Sequence, residues 1–118
     1  GQFWPAISNV VDAISSMPYP DHFSAYSYGI GEPWIDVYEL MYNWGKATYY
    51  AQEMTYNPTK CRTWIMAQSS DPYDIEYTPD FIADQIQGLK DAGVFDGYLT
   101  WNAASSISRY TSYIDVLE

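Results

Sequence analysis

The sequence predicts an α/β fold with about three parallel strands alternating with helices. Three observations carry this expectation. Short apolar runs at 13–17, 61–66 and 97–100 each end in ring-bearing and amide or imidazole side chains. Helical patterns separate those runs. Connections leaving the predicted strands (18–35 and 67–77) are long, whereas those leaving the helices (55–60 and 93–96) are short. Strand–helix–strand order implies right-handed crossovers and a parallel sheet. All three polar ends then emerge at one sheet edge, where βα units carry their functional loops.

The elements follow in order. Trp4, Ile7, Val10 and Val11 are spaced as a helix, with Pro5 suited to its first turn. Asp12 leads into the first strand, Ala13 to Met17. Tyr19 to Pro33, with several aromatics, glycines and prolines, predicts a long loop. Residues 36–54 give the clearest helix: Val37, Leu40, Met41, Trp44, Ala47, Ala51 and Met54 form one apolar stripe. Asp36 is its natural N-cap, Gly45 weakens it by about 1 kcal/mol relative to alanine, and Asn57-Pro58 ends it. The second strand is Arg62 to Met66, followed by a polar loop from Gln68 to Tyr77. Thr78-Pro79 opens a helix with Ile82, Ile86 and Leu89 on one face and Gly93 as its stop. Gly97 to Thr100 is the third strand, and the tail from Ser105 has the weak periodicity of a closing helix. There is no internal repeat and no domain linker, so residues 1–118 are expected to form a single partial domain.

Composition narrows the function classes. Fifteen acidic residues against five basic ones give a net charge of −10, which repels phosphate backbones and anionic lipid. Neither nucleic acid nor a membrane is therefore an expected partner. The start, Gly1 to Pro5, has neither the basic region nor the long apolar region of a signal peptide. The lone Cys61 allows no internal disulfide and is expected in the core; with His22 the only histidine, no metal site is expected. Gly29-Ile30-Gly31-Glu32 lacks the context of a phosphate-binding loop, and no cofactor is expected. Aromatic residues reach 19%, with 13 Tyr and 5 Trp. Tyr and Trp add a polar handle to an apolar ring, which suits either the outer layer of a core or a sugar-binding face.

Three strands make a poor independent domain, because a parallel sheet is normally covered on both faces and its open edges are adhesive. The residues themselves offer an explanation. Val11-Asp12-Ala13-Ile14-Ser15-Ser16-Met17-Pro18-Tyr19-Pro20-Asp21-His22-Phe23 resembles a signature of the glycoside hydrolase-like (β/α)8-barrel domain family long labelled a domain of unknown function. Val37-Tyr38-Glu39-Leu40-Met41 resembles its next helix start, and Arg62-Thr63-Trp64-Ile65 its arginine-proline-tryptophan-leucine strand. Asp91-Ala92-Gly93 and Gly97-Tyr98-Leu99-Thr100-Trp101-Asn102 resemble its last helix end and last strand. The resemblance implies the C-terminal portion of a (β/α)8 TIM barrel, with its last three strands. It further implies a polysaccharide or oligosaccharide as ligand and an extracellular or cell-surface location. The first half of the barrel, or a second copy joined through the exposed sheet edges, would complete the sheet. Two departures stand out: Met66-Ala67 where the family has glutamine-aspartate, and Asp21 where it has serine.

Glycoside hydrolysis ordinarily needs two carboxyl groups, about 5 Å apart for retention and about 6.5–9.5 Å for inversion. Related barrels carry that pair on strands outside this chain, so no residue here is assigned as catalytic. Asp21 and Asp71 are loop acids near the expected mouth; Glu32, Asp36, Asp74 and Glu76 are read as surface charges or caps. Tyr19 and Trp101 are open to two roles, a stacking platform with Asn102 as an orienting amide or packing in a barrel core, and Gln68 is a further binding candidate. His22 is open to three roles: sugar-hydroxyl binder, structural hydrogen bonder or proton carrier. Trp64 is expected in the core and Arg62 at the opposite end of the sheet.

Overall fold

The computed structural model describes residues 2–56, 59–67 and 72–117. Three parallel strands form one sheet: β1 (Ala13–Ser16), β2 (Lys60–Met66) and β3 (Tyr98–Trp101), in the spatial order β1-β2-β3. Ile14 pairs with Cys61 and Ser16 with Thr63; Thr63 pairs with Tyr98 and Met66 with Trp101. The helices are α1 (Trp4–Ser8), α2 (Val37–Glu53), α3 (Pro79–Ala92) and α4 (Ile107–Tyr113).

One face of the sheet carries the helices. Ile65 and Ala67 of β2 pack with Met41 of α2, Ile82, Ile86 and Leu89 of α3, and Tyr113 of α4. Strands in sequential order with their helices on one face give the winding of a barrel, whereas a doubly wound sheet places helices on both faces. Alternation puts Ser15, Arg62, Trp64, Met66, Leu99 and Trp101 on the opposite face. There Ser15, Arg62 and Trp101 are exposed, Trp64 and Leu99 are half-buried, and Met66 is buried in a cluster with Tyr19, Val37 and Tyr77. That face corresponds to the interior of a closed barrel, so the fold is a partial barrel. Among the described residues, no helix is long and apolar enough to cross a membrane.

Two glycines set the spacing of α2 and α3. A Cβ on Gly88 would lie 2.5 Å from the Tyr38 carbonyl oxygen, and one on Gly45 would lie 2.6 Å from Ala92 Cβ. The helix propensity that Gly45 sacrifices is thus exchanged for close packing of α2 against the end of α3.

Several sequence expectations shift in detail. The first helix stops at Ser8, leaving Val10 and Val11 exposed, because the chain must turn to enter β1. Ala47 and Met54 are exposed, so the buried stripe of α2 is narrower than expected. Asp36 occupies the N-cap position of α2 but makes no side-chain cap bond. Its ψ of 57° departs from the extended backbone that aims a cap oxygen at the first-turn amides. Gly93 does stop α3, with a φ of +87°. The helix end expected at Asn57-Pro58 lies outside the described residues.

Cys61 is buried against the helix layer, which pushes its thiol from an ordinary 9.0 up to about 11. Folding therefore favours the neutral thiol. Its contribution is complete below pH 9.0 and is lost as the pH rises toward 11, because only the unfolded chain ionises in that window. Iodoacetamide at pH 8 is expected to leave native Cys61 unmodified and to label it in denaturant, because the thiolate is the reacting form. Rapid labelling of the native chain, followed by mass spectrometry, would contradict the buried placement.

Candidate functional site

At the carboxyl end of β1 the chain folds straight into a 3-10 turn, Pro20–His22. The Tyr19 amide donates to the Met17 carbonyl at 2.9 Å and the His22 amide to the Tyr19 carbonyl at 3.0 Å. Pro20 fixes φ at the start of the turn. This short hydrogen-bonded corner holds Tyr19, Asp21 and His22 together at the sheet edge.

Tyr19 then crosses the end of β2 to reach β3. Its ring stacks against Trp101 with centroids 6.1 Å apart and planes at 26°. His22 meets Tyr19 edge-on at 5.4 Å, and Trp64 meets Trp101 edge-on at 6.4 Å. Trp64, Trp101, Tyr19 and His22 thus form a continuous aromatic wall contributed by all three strands. Exposure distinguishes its members. Tyr19 is only 7% exposed and serves as backing, whereas Trp101 is 42% exposed and the His22 side chain 70%. The accessible surface is an indole and an imidazole, supported by a buried phenol whose pKa is raised by burial.

The surrounding loops are fastened to one another. The rings of Trp34, in the loop after β1, and Tyr73, in the loop after β2, stack at 4.0 Å with planes 3° apart. The Tyr77 hydroxyl donates to the Trp34 carbonyl at 2.9 Å. Tyr77 is buried and stacks on Phe81 of α3; burial, and secondarily the charge of Asp21, raise its pKa. Tyr19, Val37, Met66 and Tyr77 form the buried cluster beneath the rim.

The end of β2 is closed by Gln85 of α3, which is fully buried. Its Oε1 accepts from the Met66 amide at 3.0 Å, and its Nε2 donates to the Met66 carbonyl at 3.0 Å. β1 pairs with β2 only as far as Thr63, so Gln85 supplies the hydrogen bonds that a longer neighbouring strand would give.

Asn102 lies at the same sheet edge but is engaged toward α4: its Nδ2 donates to the Ser106 carbonyl at 3.3 Å. Ser106 in turn caps α4, its Oγ accepting from the Arg109 amide at 3.3 Å. Asn102 also lines a 260 Å³ cavity with Thr100, Ile107, Tyr110 and Tyr113. A polar cleft of 410 Å³ opens beside it, lined by Glu76, Tyr77, Ser106, Ser108, Arg109 and Ser112. Gln68 and Asp71 lie outside the described residues.

The structure therefore brings Tyr19 into ring contact with both His22 and Trp101 and turns the Asn102 amide to the helix side. Trp64, expected in the core, is half-buried: it packs against the Tyr19–Val37–Met66–Tyr77 cluster and meets Trp101 edge-on. Gln85 was open to detection as the one polar residue beside Ile82, Ile86 and Leu89 on the buried stripe of α3.

A parallel, singly wound sheet with its ring side chains gathered at the carboxyl edge has the architecture of a partial barrel. The chain belongs to the family described as "Putative glycosyl hydrolase domain", whose model matches residues 1–107. That membership links it to carbohydrate chemistry. No curated protein matched the chain, and neither did any solved structure.

Proposed function

We propose that this chain supplies the sugar-binding side of a glycoside hydrolase barrel and, by itself, binds carbohydrate without cleaving it. The observation that carries this reading is the Trp64–Trp101–Tyr19–His22 wall at the carboxyl edge. Apolar C–H faces of a sugar ring pack on the exposed Trp101 indole, and His22 exchanges hydrogen bonds with its hydroxyls. Gln68 and Asn102 are secondary binding candidates, for amides both donate and accept. The hydrolytic carboxyl pair belongs to strands completing the barrel, so this chain lacks turnover, and the assembled enzyme acts on polysaccharide outside the cell or at its surface.

The sheet edges support completion by further strands, from the remainder of a barrel or from a second copy. Beside β1 an apolar groove of 490 Å³ is lined by Trp4, Ile7, Ile14 and Met17. β1 and β3 are the edge strands of the described sheet. A strand added there would cover the groove and satisfy the edge.

Affinity electrophoresis in gels containing soluble β-glucan, xylan, galactan or pectin, paired with a reducing-end assay, tests the reading. Retardation in at least one gel without release of reducing ends is the expected result. Release of reducing ends would overturn the non-catalytic assignment, and free migration in every gel would overturn carbohydrate binding.

A further inference from the structure

The Asp21 side chain is buried at the mouth, and one of its oxygens accepts no hydrogen bond from the described residues. Its side chain is only 6% exposed, and Oδ1 has no hydrogen-bond partner among the described residues. One donor is close but does not reach it. The His22 Nε2 lies 3.8 Å from Oδ1, beyond hydrogen-bond length. The Tyr77 hydroxyl, whose pKa the Asp21 charge raises secondarily, donates its proton to the Trp34 carbonyl. A buried carboxylate oxygen without a donor costs stability, and native proteins keep very few such groups. This one stands in the corner Tyr19-Pro20-Asp21-His22, whose first and last residues belong to the aromatic wall.

We propose that Asp21 is a specificity-determining residue whose Oδ1 accepts a hydrogen bond from a hydroxyl of the sugar stacked on Trp101. This inference rests on the carbohydrate-binding reading above and adds the polar contact that fixes which hydroxyl is recognised. A sugar hydroxyl is a neutral donor small enough to enter beside His22, whose exposed ring can turn aside to admit it. The contact is charge-assisted, and so stronger than a neutral hydrogen bond. A site built to satisfy a buried polar group rejects analogues lacking the matching hydroxyl, because the acceptor then stays unpaired.

The test compares wild type with Asp21→Asn and Asp21→Ser, measuring thermal midpoint and retardation by the polysaccharide that retards the wild type most. Both variants are expected to melt at or above the wild-type temperature, since an unsatisfied buried charge has been removed. Both should bind at least tenfold more weakly. Unchanged binding in folded variants would overturn the role of Asp21 while leaving the sugar-binding wall standing. A fall in midpoint with binding lost only in proportion to unfolded protein would show a structural role and overturn it equally. Absence of wild-type retardation by β-glucan, xylan, galactan or pectin would remove both this inference and the reading beneath it.

Discussion

Replacing Gln85 by leucine is expected to lower the stability of the chain by about 2–5 kcal/mol, since each buried polar group left unpaired costs about 1–3 kcal/mol. Leucine fits the volume of the site but removes both hydrogen bonds to Met66, so its amide and carbonyl lose their buried partners together. The Phe81 carbonyl, which accepts from Nε2 at 3.3 Å, loses a third contact. Urea denaturation followed by circular dichroism measures the change. Replacement of the exposed Gln52-side neighbour Glu53 provides a surface comparison. A loss below about 0.5 kcal/mol, the range of ordinary surface substitutions, would show that the β2 terminus does not depend on Gln85. The site depends on this bond pair because Met66 pairs with Trp101 and belongs to the cluster that also holds Tyr19.

Trp101→Ala is expected to abolish most carbohydrate binding with little effect on folding. Central aromatic anchors commonly contribute about 2 kcal/mol or more, which corresponds to roughly a 30-fold loss of affinity. Trp101 is half open to solvent at the end of an edge strand, so its removal leaves the helix-side core intact. Tyr19→Phe, by contrast, should retain binding, because the buried ring serves as backing through its face. Isothermal titration with oligosaccharides cut from the retarding polysaccharide compares the three proteins. Equal affinity for wild type and Trp101→Ala would place the sugar elsewhere.

Much of the scaffold was legible because each element carries a local signal. The stripe through Val37, Leu40 and Met41, the Thr78-Pro79 start and the Gly93 stop all correspond to observed features of α2 and α3. The alternation of strands and helices placed Tyr19 and Trp101 at one edge, since parallel strands put both ends there. What escaped was the direction of individual side chains. Trp64 is apolar inside a strand, which announces burial but not its edge-on contact with Trp101. Asn102 follows Trp101 by one residue, yet its amide engages Ser106 of the segment entering α4. Asp36 has the right residue type and position for a cap, but its backbone angle withholds the bond. Asp21 was recognisable as an acid near the mouth; that one of its oxygens is buried with no hydrogen-bond partner among the described residues carries no local sequence signal.

The most direct measurement is a two-dimensional NMR titration of the isotopically labelled chain with those same oligosaccharides. The Trp101 indole N–H, the His22 ring and the amides of residues 19–22 are expected to shift together and saturably. The exposed tyrosines on and after α2, Tyr50 and Tyr56, should remain unmoved. Shifts concentrated on those tyrosines, or no shift at the carboxyl edge at saturating sugar, would contradict a carbohydrate site at the aromatic wall.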